Sequence, residues 1–370
     1  MASPRTPSEA GEMAAGGAAA RAREQGIEAT AGENATVGQS KPCAATERTL
    51  VEAVNLALAR AMADDASVVV FGEDVGANGG VFRATQGLQE RFGDERVLDT
   101  PLAEALISGI AVGMAAQGLR PVAEIQFAGF AYTCIDQMLN HAARLRYRTR
   151  GRLSCPMVLR TICGGGIHAP EHHSESPEAM FAHTPGLRVV VPSTPARAYG
   201  LLLAAIRDPD PVVFLEPTRV YRLFRQAVAD DGEALPLDVC FVEREGSDLT
   251  LVSWGATLVE VRQAADQLAE AGVEAEIIDV ATIKPLDTAT ICESVARTGR
   301  CLVVHEAPLT CGVGAEIAAQ VSEHALLHLL APVKRVAGFD TPMPLARLES
   351  TYLPSVERIV DAGRALMEFT

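Results

Sequence analysis

No stretch of this 370-residue chain is apolar for the ~18 residues that a membrane-crossing helix requires, so no span is expected. Basic residues are outnumbered, 32 against 47 acidic ones, for a formal net charge of -15. Nucleic acid is bound by basic stripes that release counterions, and the chain offers none, so that class of partner is disfavoured. Its eight cysteines (Cys43, Cys134, Cys155, Cys163, Cys240, Cys292, Cys301 and Cys311) include no C-x-x-C pair. They read as reduced interior thiols rather than a disulfide framework. No G-x-G-x-x-G stands directly after a strand, and G-x-x-x-x-G-K-[ST] and H-E-x-x-H are absent, so NAD, ATP and zinc sites are not expected. An apolar secretory segment is missing too, and Glu9, Glu12, Glu24, Glu28 and Glu33 argue against a mitochondrial leader, which leaves a cytoplasmic location as the expectation.

What remains is ample for a core: 48% hydrophobic and 21% charged residues in a length that suits two domains. Residues 1–45 are small and polar and should form a disordered tail. From Thr46 apolar runs such as "SVVVFGED", "PVAEIQFAG", "CPMVLRTI" and "PVVFLEP" alternate with helical patterns such as "TLVEAVNLALARAM" and "PARAYGLLLAAIRD". Short buried strands separated by helices predict a parallel sheet covered on both faces. A polar passage over 226–245 reads as a linker, after which "LTLVSWG", "AEIIDV", "CLVVHEA" and "PVKRVAG" begin the alternation again. The fold class is therefore α/β, with two open parallel-sheet domains at 46–225 and 246–370.

One carboxylate stands apart in "DTPLAEALISG". Thr100 and Pro101 make a good N-cap and first helical residue, and a capping box would then place its acid at Ala103, one residue before Glu104. A helix-dipole interaction is the plain reading of Glu104. The neighbours Leu102, Leu106 and Ile107, with small residues down to Ala115, instead suggest a helix buried on most sides. Desolvation there would raise the carboxyl pKa and let it stay protonated, ready to hydrogen-bond a ring nitrogen. A second feature is the loop "GGGIHAPEHHSESP", which gathers three of the eight histidines after a strand, where open α/β sheets bind ligands. Acid–base or substrate-contact work by one imidazole is the chemical reading, and a solvated loop the plain one.

Several long motifs in order, "FGEDVGANGGVFRATQGLQERFG" through "DTPLAEALISG", then "GGGIHAPEHHSESPEAMFAHTPG", "AEIIDVATIKPLD", "RTGRCLVVHEAP" and "GFDTPMP", resemble the β subunit of the E1 component of 2-oxoacid dehydrogenase complexes. The resemblance runs from about Thr46 to the C-terminus. It implies a transketolase-like pyrimidine-binding domain and a transketolase C-terminal domain, with thiamine diphosphate as cofactor. By the same resemblance Glu104 would hydrogen-bond N1′ of the aminopyrimidine, Phe130 would pack on that ring and Glu73 would lie near it. His173, or its neighbour His172, would stand near the reacting centre and the incoming lipoyl group. A potassium ion is implied around Met157, Ala205, Ile206, Asp208 and Asp210.

The GDG motif with which such enzymes hold Mg²⁺ and the diphosphate is absent from this chain. The resemblance therefore implies a separate α subunit that brings the metal, in an α2β2 assembly that passes its acyl group to the lipoyl domain of an E2 acyltransferase. The motifs "HSESPEAMFAH" and "GFDTPMP" lean toward a branched-chain 2-oxoacid such as 2-oxoisovalerate. Pyruvate is the alternative substrate, and a non-catalytic scaffold the alternative of another class.

Overall fold

A computed structural model describes residues 45–169 and 171–369. The tail expected at 1–45 lies outside the described residues except for Ala45. The first half runs β1 (Thr46–Arg48), α1 (Leu50–Asp64), β2 (Val68–Gly72), α2 (Leu88–Phe92), β3 (Val97–Asp99), α3 (Glu104–Ala116), β4 (Arg120–Ile125), α4 (Leu145–Arg148), β5 (Val158–Cys163), α5 (Glu178–Ala182), β6 (Arg188–Val190), α6 (Pro195–Arg207), β7 (Val212–Pro217) and β8 (Gln226–Val228). The second half adds β9 (Phe241–Arg244), β10 (Leu249–Ser253), α7 (Leu258–Glu270), β11 (Ala275–Asp279), β12 (Thr282–Lys284), α8 (Thr288–Thr298), β13 (Cys301–Pro308), α9 (Val313–His324), β14 (Lys334–Gly338), α10 (Ala346–Tyr352) and α11 (Val356–Met367).

The strands form a seven-stranded sheet in the order β12-β6-β7-β5-β4-β2-β3 and a five-stranded sheet in the order β14-β13-β10-β11-β9. Both are parallel except at one edge, where β12 and β9 run antiparallel. β12 belongs by sequence to the second half yet pairs with β6 of the first, Thr282 opposite Val190. Within 226–245 the chain is not all linker: β8 pairs with β1, and β9 closes the edge of the smaller sheet.

Local chemistry explains the helices that brace the larger sheet. Thr49 caps α1 in a reciprocal capping box with Glu52. Thr194 caps α6, with Pro195 at its first position. Leu50, Val54 and Leu58 of α1 and Leu202 of α6 bury against Val70, Val122, Val158 and Phe214 on one face of the sheet. On the other face Phe71, Ile107, Ile125, Leu159 and Leu215 belong to a core that continues into Val252, Ile278 and Val303 of the smaller sheet. Strands β2, β5 and β7 are buried along their whole length, as parallel strands covered on both faces must be. Charge is nonetheless built into this interior. Arg160 of β5, 2% exposed, pairs with Glu216 of β7 at 2.7 Å and with Glu124 of β4.

Three expectations need correction. The helix carrying Glu104 does not start at Thr100 and Pro101: the Thr100 hydroxyl caps no amide, and its own N–H donates to the Gly72 carbonyl at 2.9 Å. The first turn forms with Ile107 N on Ala103 O, which makes Glu104 the first helical residue. Nor is α3 apolar and covered all round: Leu102, Leu106 and Ile110 are 83%, 51% and 37% exposed. Finally, "CIDQMLNHAARLRYR" is not one α-helix but a π-type turn over Gln137–Ala142 followed by the short α4, after a 3-10 turn at Phe130–Cys134. Among the described residues no helix is long and apolar enough to cross a membrane, and Cys134, Cys155, Cys163, Cys240, Cys292, Cys301 and Cys311 are all free.

Candidate active site

The C-terminal ends of β2, β4 and β5 lie side by side in the sheet, the edge at which open parallel sheets gather ligand-binding groups. Glu73 follows β2 directly. It is 3% exposed, and neither carboxylate oxygen has a hydrogen-bond partner. Burial raises its pKa, the nearby Glu104 carboxylate raises it further and Asp74 adds to the effect, while the neighbouring Ala103 amide pulls the other way. A buried carboxylate left this way costs stability, so the site is built to receive a donor it does not itself contain.

Glu104 faces Glu73 from the first turn of α3 and is half-buried. Its backbone carbonyl accepts from Ser108 Oγ at 3.0 Å and from Cys134 Sγ at 3.2 Å, which ties α3 to the 3-10 turn that begins at Phe130. Burial pushes the Cys134 thiol up to about 11, and the Glu104 and Glu73 carboxylates push the same way against hydrogen bonds to Ser108 and Thr133. Both acids thus converge on the base of one turn.

Aromatic rings cluster at the start of that 3-10 turn. Phe130 lies 5.8 Å from Phe127 and 5.4 Å from His173, each edge to face. Phe127 stands 4.3 Å from His173 in the same manner, and Phe82 reaches Phe127 at 5.5 Å. His173 is half-buried with its Nδ1 buried and unpartnered, whereas His172 is exposed. Burial lowers the His173 pKa and the neighbouring His172 lowers it further, which favours the neutral ring. Gly129 lets the turn and the histidines meet, since a methyl group there would collide with the His172 carbonyl.

Glu73, Glu104, Phe130 and His173, singled out from the sequence, therefore occupy one locale. The arrangement offers two carboxylates as acceptors, one of them orphaned, beside flat aromatic faces, and it fits a planar nitrogen heterocycle with ring-nitrogen and amino groups. Phe127, which joins Phe130 to His173, escaped the sequence reading although it stands three residues earlier in the same "QFAGF" motif.

The residues marked for potassium also come together, and several of their oxygens accept from neighbouring groups. Arg120 Nη1 donates to the carbonyls of Ile206 at 2.8 Å and Asp208 at 3.2 Å. Arg188 pairs with the Asp208 carboxylate at 3.0 Å and Arg146 with Asp210 at 2.6 Å. The Met157 carbonyl accepts from Val212 N at 3.0 Å, and Ala205 lies within α6. Three guanidinium groups stand among these acceptors, while the Ala205 carbonyl, four residues before Pro209, has no helical N–H to receive.

Residues 46–223 match the family model "Transketolase, pyrimidine binding domain", and residues 240–359 match "Transketolase, C-terminal domain". Among curated relatives, the pyruvate dehydrogenase E1 component subunit beta of Bacillus subtilis (strain 168) is 47% identical over 323 residues, covering 87% of this chain and 99% of that one. The subunit of the same name from Acholeplasma laidlawii is 51% identical over 318 residues, covering 86% and 97%. A solved structure, the inactive beta4 tetramer of a split-gene transketolase, aligns with a TM-score of 0.71 over 88% of this chain and 99% of its own at 23% identity, a likeness of fold alone.

Proposed function

The chain belongs to the family of E1 component β subunits, and from that membership we propose that it supplies the pyrimidine-binding half of a thiamine-diphosphate site and, joined to an α subunit, decarboxylates pyruvate. The observation that supports the reading is Glu73, buried at the C-terminal end of β2 with no side-chain partner and with its pKa raised by burial and by the nearby Glu104.

In this reading Glu104 holds a proton at the ring nitrogen of the aminopyrimidine, and Glu73 accepts from the donors that its orphaned oxygens await. Phe130 packs on the ring plane, and Phe127 keeps water from the space between it and His173. His173, its neutral ring favoured by desolvation, presents an imidazole that can take or give a proton near neutrality. When bound, the cofactor supplies an electron sink for the bond that releases carbon dioxide. The two-carbon unit left after carbon dioxide departs would be oxidised to the acyl level by the disulfide of an E2 lipoyl group, one sulfur taking the acyl group and the other a proton. The diphosphate needs Mg²⁺, a hard cation that wants oxygen ligands, and the absence of a GDG motif assigns that duty to the α subunit in an α2β2 assembly.

Pyruvate replaces the branched-chain acid as the favoured substrate because the relatives reported above carry the name pyruvate dehydrogenase. The motifs that leaned toward 2-oxoisovalerate weigh less than identity spread over some nine-tenths of the chain. The test is decarboxylation by this chain co-expressed with its α subunit, given thiamine diphosphate, Mg²⁺ and an artificial electron acceptor. Faster turnover of pyruvate than of 2-oxoisovalerate is expected. The reverse preference moves the chain to the branched-chain enzyme, and inactivity on both favours a scaffold. Glu104→Gln should assemble normally yet lose decarboxylation by a factor of about 100 or more, as removal of a positioned acid–base group does. A fully active Glu104→Gln pair would refute the assignment.

A further inference from the structure

The glycine run that follows β5 suggested a ligand loop, but in the structure Gly164 and Gly165 are gripped by side chains from the second half of the chain and Gly166 by Arg219. A Cβ on Gly164 would lie 2.9 Å from Glu306 Oε1, one on Gly165 would lie 2.6 Å from Met343 Cε, and one on Gly166 would collide with Arg219, which Glu260 of α7 holds in place. Glu306, at the end of β13, accepts from the Gly165 amide. Glu349, in α10, accepts from the Gly166 amide and from His168 N at 3.0 Å, and its Oε2 stands 2.5 Å from His168 Nδ1. Glu349 is 1% exposed, so three donors converge on a carboxylate that has no access to water.

These contacts hold a strained stretch. His168 has φ of 60°, in the left-handed region that a residue with a Cβ seldom adopts unless its surroundings over-determine it. Five residues on, the same segment delivers His173 to the ring of Phe127. Glu349 itself touches neither Phe130 nor the Glu73–Glu104 pair.

We propose that Glu349 is a positioning residue: from the second domain it fixes the backbone of residues 166–168 and thereby the placement of His173 at the candidate active site. This inference rests on the reading of that site given above, and it names a residue remote in sequence on which turnover depends. Glutamine at this position keeps one acceptor oxygen but turns an NH2 group toward one of the amide donors, and so breaks the arrangement without emptying the space.

The test compares Glu349→Gln, Glu349→Asp and wild type, each co-expressed with the α subunit, by hydrogen exchange over peptides covering 164–176 and by steady-state kinetics. In Glu349→Gln the Gly166 and His168 amides should exchange faster while the peptides of β2, β4 and α1 exchange as in wild type. Its kcat should fall about ten- to a hundredfold, the cost of misplacing a reacting group, with KM for the 2-oxoacid within about threefold. Glu349→Asp, which keeps the charge, should recover part of kcat. Unchanged exchange at 164–176, unchanged kcat, or a loss of kcat matched by faster exchange throughout the chain would each overturn the proposal. Should wild type turn over no 2-oxoacid, the proposed reaction falls, while the exchange data still decide whether Glu349 holds the loop.

Discussion

Replacing Arg160 by methionine should destabilise the chain by about 3–5 kcal/mol at neutral to alkaline pH and by clearly less in mild acid. Arg160 Nε and Nη2 lie 2.7 and 2.8 Å from the two oxygens of Glu216, its Nη1 bonds Glu124, and Tyr221 donates its hydroxyl to Glu216 as well. Glu216 and Tyr221 are 0% and 2% exposed and Glu124 is 7% exposed, so two carboxylates share one guanidinium beneath the sheet surface. Burial raises the Glu124 pKa and Arg160 opposes the rise. Methionine preserves most of the apolar stem, which keeps the cavity contribution small. What it removes is the charge, and two buried anions are left without a partner. Glu124 relieves this by binding a proton that the unfolded chain at the same pH does not bind, so the variant loses stability as pH rises through the folded pKa of that group. Urea unfolding followed by circular dichroism, at about pH 8 and about pH 5.5, reads the difference directly from midpoints and slopes. The gap between wild type and variant should be wide at the higher pH and narrow at the lower. A gap below about 1 kcal/mol at pH 8, or one of equal size at both values, would refute the account. Combining Arg160→Met with Glu124→Gln and Glu216→Gln should restore much of the loss, because a neutral network asks for no counter-charge.

Two further outcomes follow from the site. Glu73 has a folded pKa above its unfolded value, so its ionised form weighs against folding increasingly as pH rises through that folded value. Glu73→Gln should therefore stabilise the chain without added cofactor by about 1–3 kcal/mol at alkaline pH, with the difference shrinking in acid; thermal melts that show the variant less stable at alkaline pH would count against an orphaned carboxylate. His173→Asn should lower kcat of the co-expressed pair by about 100-fold or more, and His172→Asn by less than about threefold. Equal losses in the two variants would show that burial of His173 among the rings does not mark the working imidazole.

The larger sheet was legible because its strands are buried on both faces: "VVVFG" and "VVFLEP" read as unbroken apolar runs whatever their neighbours. The edge strand β12 was not, since three residues carry no pattern and its partner β6 lies far back in the chain. The stretch "CIDQMLNHAARLRYR" reads as helix, and its Cys134, Met138 and Ala142 are buried, but apolar spacing does not distinguish an α-turn from the π-type turn the chain adopts. Thr100 does not serve as the cap: its hydroxyl bonds no amide, and its N–H goes to the Gly72 carbonyl. Glu104 stood out because the grammar of helix capping left it unexplained. Glu73 and Phe130 came only from the likeness to a family, and nothing in "GGGIHAP" announced that its glycines answer to Glu306, Met343 and Arg219 rather than to a ligand.

The setting of Glu104 bears on why such a chain would work only in company. Acid–base work near neutrality needs a carboxyl kept from water, yet Glu104 is half-buried, and Leu102 and Leu106, two residues to either side, are more than half exposed. Ile110, a turn further along α3, continues the same apolar exposure. Apolar side chains standing in water around a carboxylate make an unfinished environment, and covering them would bury the leucines and dry the acid in one event. Glu73 is already dry and already without a donor. The two acids are thus prepared to different degrees, one by this chain's own fold and the other awaiting a second surface. In the proposed assembly the α subunit would then contribute more than a metal motif: docking against α3 would cover Leu102, Leu106 and Ile110 and close the solvent side of Glu104.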